Sequence, residues 1–118
     1  MLRPLEGIRV LDLSRILAGP YAAQSLGDLG ANVTKIEAPW GDDTRGWGPP
    51  FQKGFDGEHV ASYFLSCNRN KDIHTANIKE ERERIRTLIA NSDVVIENFR
   101  PGTFERYLGP IPKEIILC

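Results

Sequence analysis

Residues 5–39 constrain the chain most. Ile8, Val10, Leu11 and Leu13 form a near-continuous apolar run, as a strand covered on both faces requires. The run breaks at residues 14–20 (SRILAGP). Pro20 fits the first turn of a helix, where its missing N–H costs nothing. Tyr21, Ala22, Ser25, Leu26 and Leu29 recur at helical spacing and predict the buried stripe of that helix, with Gly30 as the C′ residue that stops it. A second strand follows at residues 33–37 (VTKIE). Strand, helix and strand in this order predict a right-handed βαβ unit. The amides of residues 19–22 then face the region beyond the strand's C-terminal end, where open α/β sheets bind ligands and often phosphates.

The rest of the chain continues the alternation. Residues 38–57 are dense in Gly and Pro yet carry Trp40, Trp47, Phe51 and Phe55. A loop this long is usually functional or disordered, and its aromatics argue against disorder. It is expected to cover an active site or a partner chain, or else to pack under the domain's own sheet. Residues 58–68 predict a short helix or turn, 70–72 a loop and 73–78 a weak strand. Residues 80–91 are the clearest helix, with Ile85, Leu88 and Ile89 as its buried stripe. Residues 94–97 predict a strand, 98–102 a turn, and 103–108 a short helix capped by Thr103. Ile115, Ile116 and Leu117 open a further strand at which the sequence stops, so the domain reads as truncated. The fold class is α/β: a Rossmann-like, mostly parallel sheet with helices on both faces.

At 118 residues the chain can form one domain with a modest core. Lys and Arg number 15 against 16 Asp and Glu, which argues against a general nucleic-acid binder. No apolar run approaches the roughly 18–20 residues of a membrane span. Met1, Leu2 and Arg3 lead directly into Pro4 and a strand, so a cytoplasmic or mitochondrial protein is expected rather than a secreted one. Cys67 and Cys118 form neither a disulfide framework nor a zinc motif, and no metal is expected.

No nucleophile–base pair stands out. His59 and His74 read as ordinary surface residues, Cys67 as a small buried apolar one, and Asp42 and Asp43 as turn-forming or N-capping rather than a catalytic pair. The first turn lacks GxGxxG. The positive signal is topological. Residues 14–20, the segment after residue 37, and residues 97–102 (ENFRPG) all follow strands and converge on one sheet edge. Arg15, Lys79, Arg100 and Arg106 bring positive charge there, which suits a phosphate-bearing ligand.

Four segments taken in order are more specific: PLEGIRVLDLSRILAGPYAAQSLGDLGANVTKIEAP, GDDTRGWGPPF, NRNK and DVVIENFRPGTFERYLG. Together they resemble the class III CoA-transferases, the CaiB/BaiF family, over nearly the whole chain. The resemblance implies transfer of CoA between carboxylic acids through a covalent acyl-aspartyl enzyme, in an interlocked homodimer, with acyl-CoA and a small carboxylic acid as substrates. It implies that the first part of the protein holds CoA. By position, the CoA site includes Arg15, Ile16, Leu17 and Ala18 in the first turn, then Ala76 and Lys79 near the adenosine and its phosphate. Asn98, Phe99 and Arg100 follow in the ENF turn, and Arg106 on the next helix. The family's catalytic aspartate falls beyond Cys118, so this chain is expected to supply the CoA-binding part without turnover of its own.

Two departures bear on specificity. Ala38 stands where family members place an Arg on CoA. Leu17 stands where the formyl-CoA branch has Gln, which disfavours a formyl/oxalate enzyme. The alternatives are a racemase acting on α-methylacyl-CoA, which the ENF turn disfavours, and a non-catalytic fragment for CoA binding or assembly.

Overall fold

The computed structural model describes residues 2–54 and 56–118. Met1 and Phe55, the latter one of the four expected loop aromatics, lie outside the described residues. Five strands form one parallel sheet: β1 (Arg9–Asp12), β2 (Asn32–Glu37), β5 (Lys71–Thr75), β6 (Val94–Ile96) and β7 (Ile116–Leu117), in the order β5-β2-β1-β6-β7. Strands β3 (Phe51–Lys53) and β4 (His59–Ala61) form a separate antiparallel hairpin. The helices are α1 (Ala18–Asp28), α2 (Ser62–Cys67), α3 (Arg82–Ala90) and α4 (Thr103–Tyr107), with a 3-10 turn at Asp43–Gly46. Among the described residues no helix is long and apolar enough to cross a membrane.

The register places Leu11 of β1 beside Thr34 of β2 and Val95 of β6. Leu11, Leu13, Ile36 and Val95 point to one face, where Ile85 and Ile89 of α3 and Phe104 and Leu108 around α4 complete an apolar cluster. On the other face Val10, Val33 and Ile96 meet Ala23 of α1 and Ala31. Helices therefore cover both faces, each fully buried aliphatic side chain contributing about 1.5–3 kcal/mol. The chain reverses its direction of sheet growth between β1 and β6, which makes the gap beyond their C-terminal ends the topological switch point.

Helix α1 begins at Ala18, two residues before Pro20, so Pro20 still lies in the first turn. Gly30 stops it as expected: at φ +106° it donates to the Gly27 carbonyl at 3.0 Å, while the Ala31 N–H reaches Leu26 O at 3.1 Å. These are the paired bonds of a Schellman end. The expected stripe is rotated. Pro20, Ala23 and Gln24 are buried, Gln24 bonded to the Ser66 carbonyl of α2 and the Arg69 amide, whereas Tyr21, Ala22 and Leu29 are exposed and Leu26 is half-buried. Small residues decide this. A Cβ at Gly27 would lie 3.3 Å from Val33, and one at Gly19 would overlap Ser14, so the helix sits close on the sheet along its small-residue side.

Three further expectations change. Strand β5 starts at Lys71, inside the expected 70–72 loop, and ends at Thr75. Lys71 reads as a loop residue, but its ammonium is buried among three acceptors. The 38–57 segment is not one loop. It holds the 3-10 turn and the first strand of the β3–β4 hairpin, and α2 follows directly. Thr103 does not cap α4; Gly102, at φ +87°, holds that position without a side-chain bond. Helix α3 agrees in place and in its stripe, with Ile85 and Ile89 buried and Leu88 packed beside them.

Candidate functional site

The switch point is occupied by the turn from β1 into α1. Its peptide groups from the Ser14 carbonyl to the Ile16 N–H are held by side chains from other elements. Asn98, in the turn after β6, accepts from the Arg15 N–H at 3.0 Å and donates to the Arg15 carbonyl at 2.8 Å. The Lys35 ammonium donates to the Ser14 carbonyl at 2.9 Å. The Ile16 N–H is shared between the two oxygens of Asp42, each at 3.3 Å. Ile16 has φ +74°, a left-handed conformation that β-branched residues adopt only where the surroundings impose it.

Behind the turn lies a buried polar network. Lys35 is 1% exposed in its side chain, yet it sits in the middle of β2. Its ammonium donates to Asp42 at 3.1 Å and lies 4.0 Å from Asp12. Asp12 receives the Lys71 ammonium at 2.8 Å, which also donates to the Pro20 carbonyl and to Asn68. Ser14 donates both its amide and its hydroxyl to Asp12. Asp42 takes in addition the Thr44 amide at 3.0 Å and hydroxyl at 2.8 Å, and so does cap the 3-10 turn. Glu37 is gripped by Arg45 through bonds of 2.8–3.2 Å, and Arg45 lies 3.9 Å over the Phe64 ring. Among the described residues no buried side-chain polar atom lacks a partner. That completeness is what makes burial of so much charge tolerable.

The electrostatics follow from this packing. Burial would push the Asp42 carboxyl up, but the Thr44 amide, the Lys35 charge and the Thr44 hydroxyl outweigh it and hold it below its ordinary value. Burial pushes the Lys71 ammonium down, with the Asp12 carboxylate opposing.

In front of the turn a small cleft of about 70 Å³ opens. Its walls are mainly apolar, from Leu13, Ile36, Ala76, Ile78, Phe99 and Trp40, with Arg15, Lys35, Glu37 and Asp42 on one side. A second, shallower groove is lined by Lys79, Pro101, Gly102, Thr103, Arg106 and Tyr107. The same two segments contribute to both: Ile78 and Phe99 line the first, and Lys79 and Pro101 the second.

The ten residues singled out in the sequence distribute over these features. Arg15, Ala76 and Phe99 line the cleft, and Lys79 and Arg106 share the groove. Ile16 forms the strained turn, Leu17 is the half-exposed N-cap of α1, and Ala18 opens that helix. Asn98 ties the two turns together. Arg100 is exposed and lines neither depression. The four expected cations thus do not form one cluster: Arg15 faces Asp43 at 3.7 Å, and only Lys79 and Arg106 meet. Among the described residues, the loop aromatics Trp40, Trp47 and Phe51 are not packed under the sheet. Trp40 is 71% exposed at the cleft mouth, Phe51 is exposed, and Trp47 stacks edge-on against Tyr63 at 5.5 Å.

Sequence reasoning missed Asp12, Lys35 and Lys71. A signal was present: Asp12 stands between Leu11 and Leu13, and Lys35 precedes Ile36, each within an apolar strand. A charge at an inward position of a central strand requires a partner.

The fold is an α/β domain with a cleft at the switch point of a parallel sheet, where such sheets commonly bind ligands. The family described as CoA-transferase family III matches residues 5–109, and the chain belongs to it. A succinyl-CoA:glutarate CoA-transferase from Mus musculus is 52% identical over 99% of this chain and 28% of its own length. A succinate–glutarate CoA-transferase from Agrobacterium fabrum is 49% identical over 88% of this chain and 27% of its own. The crystal structure of a CAIB/BAIF family protein from Brucella suis superposes with a TM-score of 0.86 at 52% identity, over 91% of this chain and 29% of that one. The chain therefore spans between a quarter and a third of the length of these relatives.

Proposed function

We propose that this chain is the CoA-binding part of an enzyme that transfers CoA between small carboxylic acids. The observation that carries the reading is the apolar cleft at the switch point, together with a groove holding Lys79 and Arg106 that is lined by residues next in the chain to Ile78 and close after Phe99. An elongated ligand with an apolar ring system and several phosphates matches that pairing. Phe99, Ile78 and Ala76 offer apolar contact, while Lys79 and Arg106 supply charge-assisted bonds to phosphate. Family membership supports the same chemistry.

Dicarboxylates of four or five carbons are the proposed acids. Support comes from relatives named for succinate, glutarate and mesaconate, including a succinyl-CoA:mesaconate CoA-transferase from Haloarcula marismortui at 45% identity. In the proposed reaction a carboxylate of the enzyme attacks the thioester carbonyl, the C–S bond breaks and the CoA thiolate leaves. Asp42 is bound to Lys35 and Glu37 to Arg45, which supports a nucleophile supplied from outside this cleft. The exposed Tyr21, Leu29, Trp40 and Phe51 are proposed to be covered in a homodimer, since exposed apolar patches mark association surfaces.

Calorimetric titration of CoA tests the reading. Arg106→Ala should weaken binding about ten- to a hundredfold, the equivalent of one charge-assisted phosphate contact of about 1.5–3 kcal/mol. Arg82→Ala, exposed on α3, should leave affinity unchanged. Equal affinities for the two variants would rule out the groove as the phosphate site. Dephospho-CoA should blunt the Arg106 effect if that residue holds the ribose phosphate.

A further inference from the structure

The Lys35–Asp42 pair does more than satisfy its own charges. Lys35 donates to the carbonyl of Ser14 and Asp42 accepts from the amide of Ile16, so the pair grips both ends of a three-residue segment. Asn98 holds the residue between them by its amide and its carbonyl. Asp42 is itself immobilised by the Thr44 amide and hydroxyl and by Lys35. Ile16, at φ +74°, is the one residue of this segment whose backbone needs forcing. The turn it shapes carries Arg15 into the cleft and leads Leu17 and Ala18 into α1.

We infer that Asp42, buttressed by Lys35, is the positioning residue of the ligand-binding turn: it imposes the left-handed conformation at Ile16 that sets where Arg15, Leu17 and Ala18 stand around CoA. The inference rests on the CoA reading above and assigns a role to a buried carboxylate outside the residues proposed to touch the ligand. Asp42 acts through the Ile16 backbone and carries out no chemistry. A residue that merely supported the 3-10 turn would give no coupling to the conformational preference at position 16. A positioning residue must, because glycine adopts a φ near that of Ile16, +74°, without being forced.

The test is a double-mutant cycle read by CoA titration on wild type, Asp42→Asn, Ile16→Gly and the double variant. Asp42→Asn should weaken CoA about tenfold when Ile16 is present, and about twofold or less when it is added to Ile16→Gly. Equal losses in the two backgrounds overturn the inference. A ligand-free measurement guards against a variant that fails to fold. In the wild-type protein, amide hydrogen exchange at Ile16 should be slower by about tenfold or more than at Ala18, which opens α1 with no intrahelical partner. An Ile16 amide that exchanges as fast as Ala18 also overturns the inference. If the wild type binds no CoA, the proposed function fails and takes this role with it. If it binds CoA but the losses are equal, only the positioning role fails.

Discussion

The two faces of the central sheet are buried to a similar degree by different means. Toward α3 and α4 the contacts are apolar: Leu11, Leu13, Ile36 and Val95 against Ile85, Ile89 and Phe104. Toward α1 the same strands present Val10 and Val33 near their starts, then Asp12, Lys35 and Glu37 toward their C-terminal ends. The apolar face is held by many interchangeable contacts, and losing one methylene loosens it by a small step. The charged face is held by a few directional bonds, and losing one partner leaves the other alone in a low-dielectric site. The sheet therefore places its specific, breakable interactions under the edge proposed to bind CoA and its tolerant ones on the face carrying α3 and α4.

The sharpest way to break this comparison is Lys35→Ala. Asp42 would keep its Thr44 and Ile16 donors but lose its counter-charge, a loss of about 3–5 kcal/mol for a buried pair. The midpoint of urea unfolding measures it. Lys35→Met should lose nearly as much, because it restores volume without charge. A loss under about 0.5 kcal/mol, typical of surface sites, would mean that the charged face behaves as a solvated surface.

A smaller effect sharpens the apolar side. Ile85→Val removes one methylene from a residue buried against the sheet and should cost about 0.5–1.5 kcal/mol, with an unchanged denaturant slope. If it costs as much as Lys35→Ala, the two faces are equally intolerant and the distinction between them fails.

The same contrast explains what could be read from the sequence. The apolar face announces itself by periodicity: Ile85 and Ile89 recur at helical spacing, and Val94 to Ile96 read as a covered strand. From such runs the α/β class, the parallel sheet and most elements follow. The charged face has no period. Lys71 looks like a loop residue because two of its acceptors, Asp12 and the Pro20 carbonyl, come from segments that only the fold assembles around it. Helix α1 misleads in the opposite way. Its Tyr21 and Leu29 fit an apolar stripe, yet Ala23 and Gly27 give the closer approach and take the buried side. Of the site, the turns that converge follow from topology, whereas the four cations expected there separate, with only Lys79 and Arg106 sharing a groove. The Ile16 strain and its clamp depend on side chains meeting across 26 residues of sequence.

The subtlest difference between the faces is their response to acid. Asp42 has a folded-state pKa below its ordinary value of 3.8, because bonds from Thr44 and the charge of Lys35 outweigh its burial. A carboxyl depressed in the folded state adds stability that is fully present well above the unfolded pKa. That contribution is lost as pH falls through 3.8 toward the lower folded value, where both states are protonated. Asp42→Asn cannot titrate at this position. The stability gap between wild type and Asp42→Asn should therefore be constant above about pH 5. It should narrow as pH falls below about 4, in urea unfolding at about pH 7, 5, 4 and 3. Ile85→Val changes no titrating group, so its deficit should stay flat over the same range. A gap for Asp42→Asn that is equally flat would show that the carboxylate is no better held in the folded chain than in the unfolded one. The charged face would then owe its order to hydrogen-bond geometry alone.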